Sequence, residues 1–332
     1  MPTRHDGSSV AITAAIVTYG ERTGMLARVV EAALDAGAER VHVVFNGNGE
    51  QEPILRALLP GSSQDRLTST LLAENLGSAG GFRTVIARCR AFESDYVWIL
   101  DDDNQPRPDA LALLVGSVLA LDPRTCHVSL RVTDFYQSQI MSGRPASEVF
   151  PSAGQFLNND VRRRLARRRD PSSTPPRSPF AVPVAPYGGL LASREALADT
   201  PLPRAEFYLY EDDTEWTRRI TQGGFRIYLH PTSRVDDLDG KWAGHEHTSA
   251  TDGLLASTDT TRLYYSIRNR TYLDSEMAST AGFRVRCIFT INQILYCAVL
   301  LAKGMRRGRM ASTCTILRAV LAGTRGVFGD PR

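Results

Sequence analysis

The chain has 332 residues, 42% of them hydrophobic, which is enough for one broad catalytic domain with an additional region. Its 39 basic and 36 acidic residues give a formal net charge of +3, so the overall charge argues against nucleic acid as a main partner. The five scattered cysteines lack C-x-x-C spacing, which argues against a disulfide framework and against a zinc site. Residues 1–10 are polar and lack the apolar stretch of a signal peptide, so we expect a cytoplasmic protein.

Apolar runs and helix-type spacing alternate over residues 11–100. Residues 11–18 (AITAAIVT) are typical of a buried parallel strand, and residues 25–36 repeat apolar side chains every three or four positions before Gly37, as in a helix. Further strands are predicted at residues 40–45, 67–72 and 96–100. This alternation predicts an α/β fold with a Rossmann-like, mostly parallel sheet flanked by helices, in which ligands bind at the carboxyl ends of the strands.

The second half of the chain changes character twice. Residues 158–178 contain six arginines ahead of a proline- and serine-rich stretch, which is typical of a mobile surface insertion. Beyond residue 245 the pattern becomes helical. We therefore expect a catalytic domain at residues 1–245 and a helical C-terminal region at residues 246–332.

Residues 287–302 form a mostly apolar stretch with basic side chains on both flanks. The stretch has 16 residues and contains Asn292 and Gln293, whereas a helix that spans a bilayer needs roughly 20 apolar residues. We therefore expect a helix that lies at the inner face of the cell membrane, held by apolar burial and by attraction to anionic lipid. The alternative is a helix that packs against the catalytic domain or a second subunit.

Three carboxylates, Asp101, Asp102 and Asp103, directly follow the apolar residues 96–100. Unit charges about 4 Å apart repel by roughly 4 kcal/mol at an effective dielectric of 20, so this run needs a compensating charge. A divalent cation, Mg²⁺ or Mn²⁺, would supply it and would leave coordination positions open for diphosphate oxygens. The alternative is a solvated acidic turn, or a cap for a helix that begins near Pro108.

A second acidic group, formed by Asp212, Asp213 and Glu215, opens a predicted helix. A carboxylate there can take the proton from an attacking hydroxyl, and crowding raises the proton affinity of one of the acids. The alternative is an ordinary charged first turn, where acids favour the positive end of the helix dipole.

Asn75 opens a third motif (NLGSAGGF), in which three glycines fall within five residues. Glycines let the backbone approach a ligand closely at the mouth of a sheet. A turn with a purely local role explains the same pattern equally well, and the motif is neither a P-loop nor a dinucleotide fingerprint.

The order of these motifs resembles family 2 glycosyltransferases of the GT-A fold, and most closely their galactofuranosyltransferase and rhamnosyltransferase branches. The resemblance covers residues 11–273 and rests on the combination rather than on any one motif. The segments that carry it are AIVTY (15–19), NG (46–47), NLGSAGG (75–81), WILDDD (98–103), DDTEW (212–216) and RNR (268–270).

The resemblance implies an inverting transfer of a sugar to a glycan or lipid-linked acceptor. The donor would be a nucleoside diphosphate sugar of the UDP-galactofuranose or dTDP-rhamnose type, with Mg²⁺ or Mn²⁺ on its diphosphate. Asp213 would be the general base, with Asp212 as the second candidate.

The resemblance also implies which residues bind donor, acceptor and metal. The residues expected to bind the donor are Thr18, Tyr19, Asn46, Asn75, Gly77, Gly80, Asp101 and Asp102. The residues expected to bind the acceptor are Gly188, Gly189, Trp216 and Arg268. The metal ligands would be Asp103 and Asp101, with Asp237 or His245 in place of the histidine that family members carry after the strand at residues 226–230.

Two other functions compete with a sugar transferase. A sugar nucleotidyltransferase shares the sheet type but needs a glycine-rich, basic phosphate loop after the first strand, which residues 19–24 (YGERTG) match poorly. A non-catalytic module that binds sugar nucleotides would fit the missing histidine. It would not fit the retained acidic groups, because clustered charges are costly to keep without a function.

Overall fold

The computed structural model describes residues 3–5, 7–162, 174–239 and 250–329. They belong to two compact units. The sheet unit comprises Met1–Arg144, Ser173–Ala205 and Asp212–Trp242, and the helical unit comprises Pro145–Ser172, Glu206–Glu211 and Ala243–Arg332. The expected division at residue 245 stays a prediction, because that residue lies outside the described ranges. Residues 163–173, the larger part of the expected insertion, also lie outside them.

Every strand that the structure describes belongs to one mixed sheet within the sheet unit, which confirms the predicted α/β class. The strand order is β3-β2-β1-β4-β8-β6-β9-β5, and β7 pairs with β9. The strands β1 to β4 pair parallel with one another, whereas β8 runs antiparallel to β4 and β6. The bounds are β1 Ile12–Thr18, β2 Arg40–Asn46, β3 Leu67–Leu72, β4 Tyr96–Asp101, β5 Asn104–Pro106, β6 Thr125–Leu130, β7 Phe180–Val182, β8 Leu190–Ser193 and β9 Arg226–Asp237.

Three of the four strands predicted within residues 11–100, β1, β2 and β4, are buried on both faces, whereas β3 is partly exposed. All seven residues of β1 are buried, and an unbroken apolar run is the signature of a central parallel strand. The short antiparallel strands β5, β7 and β8 carry no such signature. The prediction that the last strand ends at His230 is wrong, because β9 continues past Pro231 to Asp237. The pairing of β9 with β6 shifts register there, and such irregularities tolerate proline.

The helices of the sheet unit cover the sheet and fill the connections between strands. The helix predicted at residues 25–36 is confirmed, although it begins two residues earlier, at Thr23. Its apolar side chains belong to the same core as Leu100 and Val235. The bounds are α1 Thr23–Asp35, α2 Glu52–Leu58, α3 Gly61–Gln64, α4 Gly77–Cys89, α5 Ala110–Val115, α6 Phe135–Met141, α8 Arg194–Asp199 and α9 Asp212–Gln222.

The helical unit has its own apolar core, which includes Phe156, Tyr265, Phe289, Leu300 and Ile316. Its described helices are α7 Ala146–Val149, α10 Ala250–Ala256, α11 Thr260–Thr280, α12 Phe283–Arg306 and α13 Met310–Arg325.

The helix α12 is longer than the apolar run that predicts it. It has 24 residues with a mean hydropathy of 1.7 over its most apolar window, of which 22% is buried. Within the described ranges it is the one helix long and apolar enough to cross a membrane. The helix extends at both ends beyond residues 287–302, so the length of the apolar run understates the length of the helix, and the expected interfacial position stays a prediction.

Two buried histidines pair across β6 and β9, with His127 Nδ1 2.9 Å from His230 Nε2. One ring must donate its N–H to the unprotonated nitrogen of the other. Burial, with the neighbouring His230, lowers the pKa of His127 to about 3, and burial lowers the pKa of His230 to about 4. The folded pair is therefore neutral, whereas the unfolded chain takes up protons below about pH 6.5. The pair stabilises the fold above that pH and loses this contribution as the pH falls.

We predict that replacing one of these histidines reduces the acid sensitivity of the fold. Between pH 7 and pH 5 the free energy of unfolding should fall by about 2 kcal/mol less in His127→Gln than in the natural protein, because the unfolded variant binds one proton fewer. Urea unfolding at the two pH values measures this difference. The control is His5→Gln, at an exposed side chain, and equal pH dependence in all three proteins would contradict the prediction.

Candidate active site

The carboxyl ends of β1 and β4 lie side by side, because Val17 pairs in register with Asp101. The residues that follow the two strands therefore meet. Thr18 Oγ1 donates a hydrogen bond of 2.8 Å to Asp102 Oδ2, and both side chains are buried. Thr18 thus fixes one carboxylate of the acidic run at the edge of the sheet where ligands are expected.

Arg22 compensates two of the aspartates. Its guanidinium lies 3.1 Å from Asp102 and 2.7 Å from Asp103, measured from nitrogen to oxygen. Its Nη1 also donates to the hydroxyl of Tyr19, whose ring is exposed. Burial alone would lower the pKa of Arg22, but Asp102 and Asp103 together raise it. Arg22 is therefore a fixed positive charge in the acidic group.

A second arginine, Arg131, directly follows β6 and compensates the other side of the group. It lies 3.2 Å from Asp101 and 2.8 Å from Asp237. The pairing of β5 with β9 places Asn104 opposite Asp237, and Asn104 Nδ2 donates to Asp237 at 2.7 Å and to Asp103 at 3.0 Å. Asp237 also accepts a hydrogen bond from Thr133. Carboxylates from the ends of β4 and β9 thus converge on Asn104 and Arg131.

Burial leaves two of these carboxylates close to protonation near neutral pH. Burial raises the pKa of Asp101 to about 6 and that of Asp102 to about 7, against the opposing effect of the arginines. The pKa of Asp237 is also raised, chiefly by burial. Two guanidinium groups therefore do part of the compensation that sequence reasoning assigns to a metal ion alone.

The donor set suits a hard divalent cation. Asn104 Oδ1 is a buried carbonyl-type oxygen without a hydrogen-bond partner in the described part of the chain, and it lies among carboxylates. Carboxylate and amide oxygens are the ligands that Mg²⁺ and Mn²⁺ take. Within residues 3–239 and 250–329 as described, no three acidic, histidine or cysteine side chains are arranged to hold a metal by themselves. His245, the other expected ligand, lies outside the described residues.

Gly188 packs its main chain directly onto this group. A Cβ atom at position 188 would overlap Asn104 Oδ1 and would lie 3.0 Å from Asp101 and 3.1 Å from Arg131. Gly189 has a φ of 92° and donates its N–H to Ile99 O at 2.9 Å. Of the two glycines expected to bind an acceptor, Gly188 lies at the acidic group, whereas a Cβ at Gly189 would meet Ser129 and Val235.

The glycine-rich motif begins a helix instead of forming an open loop. Gly77 and Gly80 are buried in the first turns of α4, and a Cβ at Gly81 would lie 2.6 Å from Val17. These glycines allow close packing of a helix on a strand. The side chain of Asn46 is used in the same junction, since it donates to Gly77 O at 2.9 Å and accepts from Leu76 N at 2.9 Å. This placement favours a positioning role for the motif over direct contact with the donor.

The side chain of Asn75 also takes part in the junction between α4 and the end of β2, although Asn75 is exposed overall. Its Oδ1 accepts from Asn46 Nδ2 at 3.1 Å and from Gly77 N at 2.8 Å. The side-chain oxygen is thus engaged within the protein, and the remaining surface of Asn75 faces outward at the carboxyl end of the sheet.

The helix α9 begins at the same edge of the sheet. Asp212 is buried, and its Oδ2 accepts a hydrogen bond of 3.0 Å from Ser78, in the first turn of α4. Asp213 is half-buried and accepts from Thr214 N at 2.6 Å. Of the two candidate bases, Asp213 is the more accessible.

Two residues expected to bind an acceptor are instead buried. Trp216 is fully buried, and its Nε1 donates to Pro201 O at 3.1 Å. Arg268 is 1% exposed and donates to main-chain carbonyls of Glu206 and Phe207. Direct contact with an acceptor is not favoured for either side chain, because both use their polar atoms inside the protein.

Sequence reasoning missed Tyr187, which lies next to Gly188. Its ring stacks on Phe82 with centroids 4.0 Å apart, and its buried hydroxyl lacks a hydrogen-bond partner in the described ranges. Burial and the charges of Asp212 and Asp213 raise its pKa well above the usual value. The sequence signal that could have identified Tyr187 is its position directly before Gly188 and Gly189. A single tyrosine carries no periodic pattern, so sequence analysis did not select it.

Comparisons with known proteins identify the family of this chain. Residues 10–255 match the family model for Glycosyltransferase like family 2. The galactofuranosyltransferase GlfT1 of Mycolicibacterium smegmatis is 24% identical over 280 residues, which covers 80% of this chain and 83% of GlfT1. GlfT1 of Mycobacterium tuberculosis is 25% identical over 252 residues, which covers 70% and 72% of the two chains.

A solved structure confirms the GT-A fold. The mannosyltransferase PcManGT from Pyrobaculum calidifontis, in complex with GDP-Man and Mn²⁺, has a TM-score of 0.51 to this chain. It is 14% identical, and the likeness covers 97% of this chain and 89% of that one. The acidic strand ends, the GT-A sheet and a family match over most of the sequence lead to one conclusion: the chain belongs to the family 2 glycosyltransferases.

Proposed function

We propose that this glycosyltransferase moves galactofuranose from UDP-galactofuranose to a glycan or lipid-linked acceptor, with inversion at the anomeric carbon. The observation that carries the proposal is the group of Asp101, Asp102, Asp103 and Asp237 at the strand ends, held between two arginines. The choice of sugar is supported by the names of the GlfT1 relatives. A dTDP-rhamnose donor is the other option within the same chemistry.

The acidic group would hold the donor diphosphate through a divalent cation. Asp101 and Asp103 would be ligands, with Asp237 or His245 as the third, and Mg²⁺ or Mn²⁺ would neutralise the charge that develops on the departing diphosphate. Arg22 and Arg131 are bound to these carboxylates and add fixed positive charge beside the same position. Asp102 is buried against Thr18 and Arg22, which suits a role in holding Arg22 and the loop after β1.

Asp213 would accept the proton of the attacking acceptor hydroxyl. It lies in the first turn of α9, where its side chain is partly accessible, whereas Asp212 is buried against Ser78. A carboxylate that removes this proton in the transition state typically contributes a factor of 10² to 10⁴ in rate.

We predict that Asp103→Ala removes the Mn²⁺-dependent part of UDP binding and lowers transfer at least about 100-fold. The fold should persist, because Arg22 keeps its ion pair with Asp102. Thermal unfolding with UDP, in Mn²⁺ and in EDTA, measures the effect, since a ligand that binds only the folded state raises its stability.

The matched control is Asp122→Ala, which also removes a carboxylate paired with an arginine, Arg226, but outside the acidic group. It should keep the full Mn²⁺-dependent shift. Metal-dependent turnover that survives in Asp103→Ala would overturn the metal assignment.

We predict that Asp213→Asn lowers turnover at least about 100-fold while the affinity for the donor changes little, because a general base acts only in the transition state. Steady-state kinetics with varied donor, together with UDP binding, separate the two effects. Asp212→Asn is the comparison, since an amide oxygen can still accept from Ser78. A loss confined to donor affinity in Asp213→Asn would transfer the role of base to Asp212.

We propose further that the enzyme docks on anionic membranes through α12, where a lipid-linked acceptor would be met. One face of this helix packs in the protein through Phe289, Asn292, Tyr296, Leu300 and Gly304. Its other face leaves large apolar side chains exposed, namely Phe283, Ile291, Ile294, Leu295, Val299 and Met305.

Charge at both ends of α12 supports attraction to anionic lipid. Arg284 and Arg286 are exposed at its start, and Arg306 and Arg309 at its end. The packed face carries Asn292, which bonds to the main chain of Gly154 and Val161. A helix with one face packed in the protein and basic residues at both ends suits a position in the interface better than one surrounded by lipid.

We predict that the protein floats with anionic vesicles at low salt and that high salt releases it. Arg284→Ala with Arg286→Ala should weaken binding about 30-fold, at roughly 1 kcal/mol for each basic residue. Ile294→Glu should weaken it as well, whereas Val118→Glu, at an exposed apolar residue of the sheet unit, should not. Failure to float at low salt would leave α12 as a surface for protein contacts.

A further inference from the structure

The segment directly before Asp212 has an unusual backbone. Tyr208, Tyr210 and Glu211 have φ angles of 59°, 67° and 61°, in the left-handed region. This conformation is disfavoured for residues with a Cβ, because the Cβ approaches the following carbonyl oxygen. Three such residues within four positions persist only where the surrounding structure holds them.

One buried amide contributes three of the contacts that hold this segment, beside the ring contact of Tyr208 with Tyr265 and the ion pair of Glu211 with Arg270. Asn269, on α11, is fully buried, and its Nδ2 lies 2.9 Å from Phe207 O, 2.8 Å from Leu209 O and 2.8 Å from Tyr210 O. A single side chain thus bonds to carbonyls on both sides of a left-handed residue. Its two N–H groups serve three acceptors, so the amide is tightly specified in orientation.

Arg268 orients this amide and adds further hydrogen bonds to the same segment. Arg268 Nε donates to Asn269 Oδ1 at 2.9 Å, and its Nη2 donates to Glu206 O at 2.9 Å and Phe207 O at 3.0 Å. The guanidinium lies 4.7 Å from the centre of the Tyr265 ring. These contacts all lie within the helical unit.

We propose that Asn269 is a positioning residue for the general base. It fixes the left-handed segment 208–211, which is bonded in the chain to Asp212, the first residue of α9, and so constrains the backbone that leads into Asp213. Arg268 assists by holding the amide. The inference rests on the proposed role of Asp213, but the segment that Asn269 holds is defined by contacts independent of that role.

A matched control exists in the same unit. Asn292 is also a buried amide on a helix, and its side chain donates to Gly154 O at 2.8 Å and accepts from Val161 N at 3.0 Å. Its partners are remote in the chain from Asp212. A purely structural role for both amides predicts similar consequences when either is removed.

The test compares Asn269→Ala with Asn292→Ala, with a water-soluble acceptor so that docking through α12 does not affect the rate. We expect both variants to lose stability, but only Asn269→Ala to lower kcat, by about 10-fold to 100-fold, with UDP affinity changed less than about 3-fold, since a base misplaced by about 1 Å costs rate and not donor binding. Hydrogen exchange should quicken in residues 206–216 in Asn269→Ala alone. If Asn269→Ala does not fold, Asn269→Ser retains one donor and should give the same pattern more weakly.

A second substitution that relieves the backbone strain tests whether this strain links Asn269 to turnover. Glycine adopts the left-handed region without penalty, so Tyr210→Gly should slow the exchange of residues 206–216 in the Asn269→Ala background and restore part of kcat. Equal kcat in Asn269→Ala and Asn292→Ala, or unchanged exchange at residues 206–216, would overturn the proposal. Absence of any sugar transfer by the natural protein would instead overturn the proposed function, and the exchange data would still decide whether Asn269 holds the segment.

Discussion

The structure depends on one electrostatic constraint, the burial of several carboxylates at one edge of the sheet. Parallel pairing of β1 with β4 brings Thr18 and Asp102 together, and pairing of β5 with β9 adds Asp237. Like charges this close cannot remain ionised without positive partners. Arg22, paired with Asp102, Asp103 and Asp239, and Arg131, paired with Asp101 and Asp237, supply two of them, and burial still raises the pKa of Asp101 to about 6. A divalent cation with a diphosphate would complete it.

Several local features follow from this constraint. A side chain at position 188 would displace Asn104, because the main chain of Gly188 lies against the oxygens of Asp101 and Asn104. The glycines of α4 let that helix approach β1 closely, which puts Ser78 beside Asp212 at the same edge. The left-handed backbone before Asp212 costs free energy and is held by the helical unit through Asn269. Backbone strain of this kind persists at functional sites, where a fixed geometry offsets the loss of stability.

The sequence predicts those parts of the site that depend on a regular apolar pattern or on residues adjacent in the chain. The strands β1, β2 and β4 are buried on both faces and therefore consist mostly of apolar residues. These apolar runs predict where the strands end and show that the acids directly follow β4. Arg22 and Arg131 are single basic residues in connections, and they meet the acids only after strands distant in the chain have paired. Burial of Trp216 and Arg268 also depends on tertiary packing. The glycine motif fits two roles from sequence alone, because close packing on a strand and close approach of a ligand require the same residue.

The most direct test of the account is transfer itself, with UDP-galactofuranose, a lipid-linked glycan acceptor and Mn²⁺, followed by release of UDP and by the anomeric configuration of the product. The account predicts stoichiometric UDP release and glycosylated product with inverted configuration, both abolished by EDTA and restored by Mn²⁺. Transfer at full rate in EDTA, or a product with retained configuration, would contradict it.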